Sequence, residues 1–211
     1  MRTLIQNCRI ISPGIDIPEG YLIIRDDKIE EVGEGGVSGT FDNVIPADGL
    51  IAAPGFIDIH SHGRSNFDFC DIVPEAFAVI GRRKREDGVT GFLATSLTVS
   101  MDDLRDFCRL AERYKKDVTD GAALLGVHLE GPCINPSCAG AQNPAFLRKP
   151  DIAIVDELNA ISPVKKVTFS PELPGGLAFT KALAERGIMP SGGHSSADYE
   201  CFEANRAAGM K

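Results

Sequence analysis

Residues 51–63 read Ile51-Ala52-Ala53-Pro54-Gly55-Phe56-Ile57-Asp58-Ile59-His60-Ser61-His62-Gly63, and the texture of the chain changes across them. Upstream, the pattern is that of short strands. Residues 3–11 alternate apolar and polar, residues 21–25 run into the turn Asp26-Asp27-Lys28, and residues 29–32 follow it. The Gly-rich residues 33–39 read as a loop. No helical periodicity occurs in this region, so residues 1–50 are expected to form the N-terminal part of a small β-module. Residues 51–59 are one apolar run that ends in His60 and reads as a strand.

Downstream, strands alternate with single helices. Residues 75–87 read as helix closed by Gly88, 89–95 as strand, and 100–116 as helix. In that helix Ser100 and Asp103 have the spacing of a capping box, and Leu104, Phe107, Cys108, Ala111 and Tyr114 share one face. Residues 122–129 read as strand, 151–161 as helix, 164–169 as strand, 177–186 as helix stopped by Gly187, 188–191 as strand, and 196–208 as helix. Such alternation implies βαβ units on a parallel sheet, about five of them over residues 51–211. A closed (β/α)8 barrel takes eight units and roughly 250 residues. The pattern therefore fits either an open α/β fold or a TIM-like barrel cut after its fifth unit.

Composition bounds the function. The chain has 211 residues, 43% hydrophobic and 25% charged, enough to bury a sizeable core. A net charge of -8 argues against nucleic acid, which needs a basic footprint. The N-terminus lacks the apolar block of a signal peptide, and no run approaches the roughly 18 apolar residues of a membrane helix. Six scattered cysteines (Cys8, Cys70, Cys108, Cys133, Cys138, Cys201) contain no C-x-x-C pair and read as free thiols of a cytoplasmic protein.

The four histidines carry more. His60, His62, His128 and His194 each lie at or just past the C-terminal end of an expected strand. In a parallel α/β barrel that end carries the active site, and this selects the cut barrel over the open fold. Side chains alternate along a strand, so His60 and His62 are expected on one side of theirs, and His128 and Glu130 on one side of another. Imidazole nitrogen and carboxylate oxygen suit a borderline divalent ion such as zinc, at about 2.0–2.2 Å. Gly131-Pro132 ends the strand after Glu130, and Gly192-Gly193 lets backbone approach closely just before His194. The run Arg82-Arg83-Lys84-Arg85 lies mid-helix and reads as a solvated face.

These motifs carry a resemblance. Residues 54–63 resemble the P-G-F-I-D-x-H-x-H-G signature of the amidohydrolase superfamily. Val127-His128-Leu129-Glu130-Gly131-Pro132 and then Gly140-Ala141-Gln142-Asn143-Pro144 resemble the H-L-E-G-P … K-G-A-[HQ]-[ND]-P block of the N-acetylglucosamine-6-phosphate deacetylases. Gly193-His194-Ser195, with a helix start expected at Ala197, is similar to their third block.

The resemblance implies a metal-dependent-hydrolase (β/α)8 barrel over residues 51–211, preceded by part of a small β-sandwich module. It implies hydrolysis of N-acetylglucosamine 6-phosphate to glucosamine 6-phosphate and acetate. It makes Glu130 and His194 ligands of the main metal site, and His60 and His62 the pair that holds a second metal in some members. One or two divalent ions (zinc, iron, manganese or similar) are thus expected. Ala141 and Gln142 fall on the loop that touches the sugar, where many members have His in place of Gln142. His128 is read as supporting the ligands rather than joining them. The family's catalytic Asp and a third His ligand are expected beyond Lys211, which leaves no catalytic proton carrier among residues 1–211. The partner is expected to be a small amino-sugar phosphate, and the full-length enzyme a homodimer.

Three alternatives stand beside this: a deacetylase for the galactosamine epimer, a dihydroorotase- or aminoacylase-like amidohydrolase, and an inactive truncated chain. The dihydroorotase-like enzymes commonly bridge two metals with a carboxylated lysine. Lys165 and Lys166 are expected to begin their strand rather than end it near the histidines.

Overall fold

The apolar run 51–59, expected as a single strand, is two strands that serve different sheets. In the computed structural model, which describes Met1–Lys211, Ile51–Ala52 pairs with the first strand of the chain while Phe56–Asp58 opens a second sheet. Pro54 and Gly55 separate them, because proline has no N–H to offer a ladder. The chain divides into compact units at this break, Met1–Gly55 and Phe56–Lys211.

The first unit is built on β1 (Arg2–Ser12). It pairs antiparallel with β2 (Ile15–Arg25), which pairs antiparallel with β3 (Lys28–Glu34), and β1 also takes β4 (Asn43–Pro46) and β5 (Ile51–Ala52) in parallel. β2 begins well before the expected residue 21. Pro18 masked that start. The β1 ladder nevertheless runs back to Ser12↔Ile15, and β3 joins only from Gly20, so Pro18 sits where one side of β2 has no partner to satisfy. Leu4, Tyr21 and Ile23 form one small core, and Cys8, Ile10 and Ala47 another.

The second unit carries five parallel strands in the order β12-β11-β10-β9-β6. They are β6 (Phe56–Asp58), β9 (Val89–Thr95), β10 (Ala123–Glu130), β11 (Val164–Phe169) and β12 (Met189–Gly192). The helices α1 (Pro74–Glu86), α2 (Met101–Asp117), α3 (Ile152–Asn159), α4 (Gly176–Glu185) and α5 (Tyr199–Ala207) follow them one for one, and a short hairpin of β7 (Gly63–Arg64) and β8 (Phe67–Asp68) precedes α1. The strand order follows the chain without reversal, and each helix touches the next, so the helices share one face. A doubly wound sheet would reverse its order and put helices on both faces. This is a curled half-barrel, five units of a (β/α)8 fold.

Local chemistry sets the helices. Ser100 Oγ accepts from Asp103 N at 3.1 Å and caps α2. The buried residues of α2 are Leu104, Phe107, Cys108, Ala111 and Tyr114, the expected face. They join Phe69, Phe77, Ile80, Phe92 and the helix-side residues Leu129, Val167 and Phe169 in one continuous core. α5 starts at Tyr199 under an Asp198 cap, later than the expected 196–197. The reason is competition: Glu172 takes the Ser196 N–H and Ser195 Oγ takes the Ala197 N–H, which holds that backbone out of the helix. The basic run of α1 is also less uniform than expected. Lys84 is buried, its Nζ 2.6 Å from Asp58 Oδ2, while Arg82 and Arg83 face solvent in ion pairs with Asp120 and Glu86.

Phe107 is fully buried and its ring lies 5.9 Å from that of Phe77. Phe107→Ala is expected to lower the urea unfolding free energy by about 3–5 kcal/mol, while Arg109→Ala on the exposed face of the same helix moves it by less than about 0.5 kcal/mol.

Candidate metal centre

Strand pairing brings residues distant in sequence into two rows on the face opposite the helices. Thr95, His128 and Lys166 lie side by side across β9, β10 and β11, and one step further along Glu130 pairs with Thr168 and Thr168 with Ser191. Side chains alternate along each strand, so these rows share the inner face while Leu129 and Val167 point into the helix-side core.

Glu130, the last residue of β10, is the focus. Its carboxylate is almost wholly buried and is approached by three imidazoles: His62 Nε2 at 3.0 Å from Oε2, and His60 Nε2 and His194 Nε2 each at 3.5 Å from Oε1. Burial works to raise its pKa, but the hydrogen bond from His62 and the charges of His62, His60 and His194 outweigh it and hold the group down at about 2. Glu130 is therefore ionised at any working pH. Gln142 completes its surroundings: its Nε2 donates to Glu130 Oε2 at 2.7 Å, and its Oε1 accepts from Thr98 N at 2.6 Å. A carboxylate on one side and a backbone N–H on the other leave only one orientation for that amide.

His60 and His62 do not sit on a strand as expected. β6 ends at Asp58, whose Oδ1 accepts from His60 N at 3.0 Å, and Ser61 is tied across to Thr95 by its N–H and carbonyl. The two rings still converge because both ends of this turn are pinned. Asp58 is held in turn by the buried Lys84. Burial lowers the pKa of His60 against the pull of Glu130, whereas the hydrogen bond to Glu130 raises that of His62. The ligand atoms of His60, His62 and Glu130 lie within 4.8 Å of one another. His194 stands outside that group of three and meets it at Glu130 Oε1. Its Nδ1 is 2.9 Å from the carbonyl of Cys138. A carbonyl only accepts, so Nδ1 carries a proton, and Nε2 is the nitrogen left facing Glu130.

His128 has a different arrangement. It is fully buried, with Nδ1 3.2 Å from Thr95 Oγ1 and Nε2 2.8 Å from Thr168 Oγ1. Burial, aided by the charge of Lys166, pushes its pKa down to about 3, so the ring is neutral. A neutral imidazole has one donor and one acceptor nitrogen, and the threonines use both. No lone pair remains for a metal.

The donor set fits a divalent cation. Three imidazoles around one carboxylate are the N/O ligands of borderline ions, and a tetrahedral shell with bonds near 2.0–2.1 Å has ligand-to-ligand edges of about 3.3 Å. The observed separations of 3.0–3.5 Å between Glu130 and the three nitrogens bracket that edge. His62 Nδ1 is buried without a hydrogen-bond partner among the side-chain contacts, while its Nε2 faces Glu130 and its ring packs edge-on against His60.

Of the remaining expected residues, Ala141 is exposed on the loop beside the site, while Gln142 turns inward to Glu130. Lys166 does not stand clear of the histidines. It is buried opposite His128, and burial lowers its pKa while Glu130 opposes the shift. Thr95, Thr168 and Asp58 were not anticipated, although Thr95 and Thr168 lie at strand ends, the very positions that singled out the histidines. Cys138 matters through its carbonyl and not its thiol. All six cysteines are free.

No family model matches the chain. It is 31% identical over 199 residues to an N-acetylglucosamine-6-phosphate deacetylase of Lysinibacillus sphaericus, covering 93% of this chain and 51% of that protein. It is 31% identical over 170 residues to an N-acetylgalactosamine-6-phosphate deacetylase of Escherichia coli O157:H7, covering 79% of this chain and 45% of that protein. Its fold matches a Mycobacterium smegmatis N-acetyl-D-glucosamine-6-phosphate deacetylase mutant, solved in complex with N-acetyl-D-glucosamine-6-phosphate. That match has a TM-score of 0.83 at 27% identity and covers 100% of this chain and 54% of that one. The chain thus spans about half the length of the relatives it matches.

Gln142→Leu removes a donor to Glu130 and strands the Thr98 N–H. It is expected to weaken zinc binding by about 10–100-fold in a chelator competition; an unchanged affinity would show that Glu130 is held without this amide.

Proposed function

We propose that this chain, which corresponds in sequence and fold to the N-terminal portion of the N-acetylglucosamine-6-phosphate deacetylases, carries the metal centre of an enzyme that hydrolyses the acetamide of N-acetylglucosamine 6-phosphate. The products are glucosamine 6-phosphate and acetate. The observation that carries the reading is the convergence of His60, His62 and His194 on the one buried carboxylate of Glu130 at the C-terminal end of a parallel half-barrel.

A bound divalent ion supplies Lewis acidity at such a site, activating water at neutral pH and polarising an amide carbonyl. The protein's own residues hold that site. Glu130 contributes a carboxylate that stays ionised, Gln142 keeps it from turning, and His194 presents Nε2 because Cys138 fixes its tautomer. Glu130 and His194 are assigned to the main ion, and His60 and His62 to a second ion where one binds. His128 holds β9, β10 and β11 in register beneath them, acting through its two threonines.

Amide hydrolysis also needs a group that takes a proton from water and returns it to the leaving nitrogen. Glu130 is surrounded by donors and both nitrogens of His128 are engaged, so neither is free to do so. That carrier is assigned to a carboxylate outside residues 1–211, as are the contacts to the substrate phosphate. Ala141, exposed beside the site, is the candidate contact to the sugar. The six free cysteines favour a reducing, cytoplasmic setting, and the resemblance favours a homodimer. The likeness to the E. coli protein gives a second substrate to test, the galactosamine epimer.

Acetate release from both 6-phosphates, by a protein that carries residues 1–211 together with that carboxylate, is the test, with metal content read on the same samples. Glu130→Gln and His194→Asn are each expected to lower kcat/KM by at least about 10³-fold, on the scale of losing a transition-state electrostatic contact. A protein that binds metal yet releases acetate from neither sugar would retain the metal centre and lose the substrate assignment.

A further inference from the structure

We propose that Glu172 is the positioning residue for His194, clasping the loops that follow β10, β11 and β12. The inference rests on the metal-centre reading above. His194 adopts the left-handed backbone conformation, with φ 49. A bulky side chain holds that conformation only where its surroundings over-determine it. The two residues after it are held by one carboxylate: Ser195 Oγ donates to Glu172 Oε2 at 2.6 Å, and Ser196 N donates to Glu172 Oε1 at 2.8 Å.

The same carboxylate reaches the other loop of the site. Asn135 Nδ2 donates to Glu172 Oε1 at 2.8 Å and to Ser196 Oγ at 3.0 Å, while Asn135 Oδ1 accepts from Ser137 N at 2.9 Å. Asn135 opens the turn that leads to Cys138, whose carbonyl receives His194 Nδ1. Glu172 therefore grips both sides of the hydrogen bond that selects the His194 tautomer. Ser170, fully buried two residues earlier, reinforces the arrangement: its hydroxyl donates to the His194 carbonyl and accepts from Asn135 N at 2.7 Å.

An ionised carboxylate suits this task because both its oxygens accept, and charge-assisted hydrogen bonds are the stronger kind. A Gln side chain offers one acceptor oxygen and would hold Ser195, or Ser196 with Asn135, but not all three. The Glu172 side chain makes its hydrogen bonds to Asn135, Ser195 and Ser196 and none to His60, His62, Glu130 or His194. Its effect on the centre passes through the loops.

The test is a double-mutant cycle in the full chain, read by cobalt(II) affinity, by the cobalt visible spectrum and by melting on the same samples. Glu172→Ala is expected to weaken cobalt binding about 10–100-fold and to alter the spectrum, with Glu172→Gln between it and wild type. In a His194→Asn background the same Glu172→Ala change is expected to alter affinity by no more than about two-fold, because the ligand it positions is gone. Wild-type affinity and spectrum in Glu172→Ala would overturn the proposal. So would an equal loss in both backgrounds, the mark of a general structural role. Should Glu172→Ala fail to melt cooperatively, Glu172→Gln runs the same cycle under the same criteria. A wild-type chain that binds no cobalt sinks the metal-centre reading, and the positioning role with it; either of the other failures sinks the positioning role alone.

Discussion

A carboxylate taken out of water must be compensated, and the arrangement around Glu130 is that compensation. Burial alone would raise its pKa and neutralise it, yet the group is held at about 2 by His62, His60 and His194. Each compensating group makes a demand of its own. His62 has no other hydrogen-bond partner for its buried Nδ1, and His194 keeps its proton on Nδ1 only while the Cys138 carbonyl faces it. Gln142 bridges the carboxylate to the Thr98 backbone. The site is thus a chain of obligations that begins with one buried charge and ends at the main chain of several loops.

The half-barrel meets those obligations because its two faces do different work. Toward the helices, Leu129, Val167 and Phe169 enter a continuous apolar core with Phe92, Phe107 and Leu104. That core fixes the strands, and fixed strands fix the rows of side chains on the opposite face. There His128 acts as a crossbar, since its two nitrogens engage threonines from the strands on either side of its own. A misplaced imidazole at that point would shift β9 or β11 relative to β10, and with them Ser61, which is tied to Thr95 of β9, and Ser170, which follows β11. Stability on one face and chemistry on the other are coupled through strand register.

The loops show how an imidazole can be aimed without a strand beneath it. His60 is placed by Asp58, itself paired with the buried Lys84 of α1. His194 is placed by hydrogen bonds that converge from the loops after β10 and β11. In both cases a carboxylate outside the histidine cluster grips the backbone at or beside the imidazole. The cost of fixing that carboxylate is offset by its hydrogen bonds and ion pair, so the rings inherit their rigidity from residues that need not touch them.

Much of this was written locally in the sequence. The alternation of strand and helix past the first fifty residues, the capping of α2 by Ser100, the buried stripe of that helix and the placing of the four histidines at or past strand ends follow from spacing and residue type, because period and capping are short-range properties. What tertiary structure decided was the pairing of distant residues. Whether Pro18 lies inside a strand depended on which side of β2 had a neighbour, and whether 51–59 was one strand or two depended on two different sheets. The start of α5 depended on Glu172, from another loop, taking the Ser196 amide. Gln142 became a brace for Glu130, and Lys166 came to lie beside His128, only when the ladders set the register. A sequence states what each segment can do alone. Which donor meets which acceptor across the sheet is a property of the closed packing, since register and burial exist only between segments.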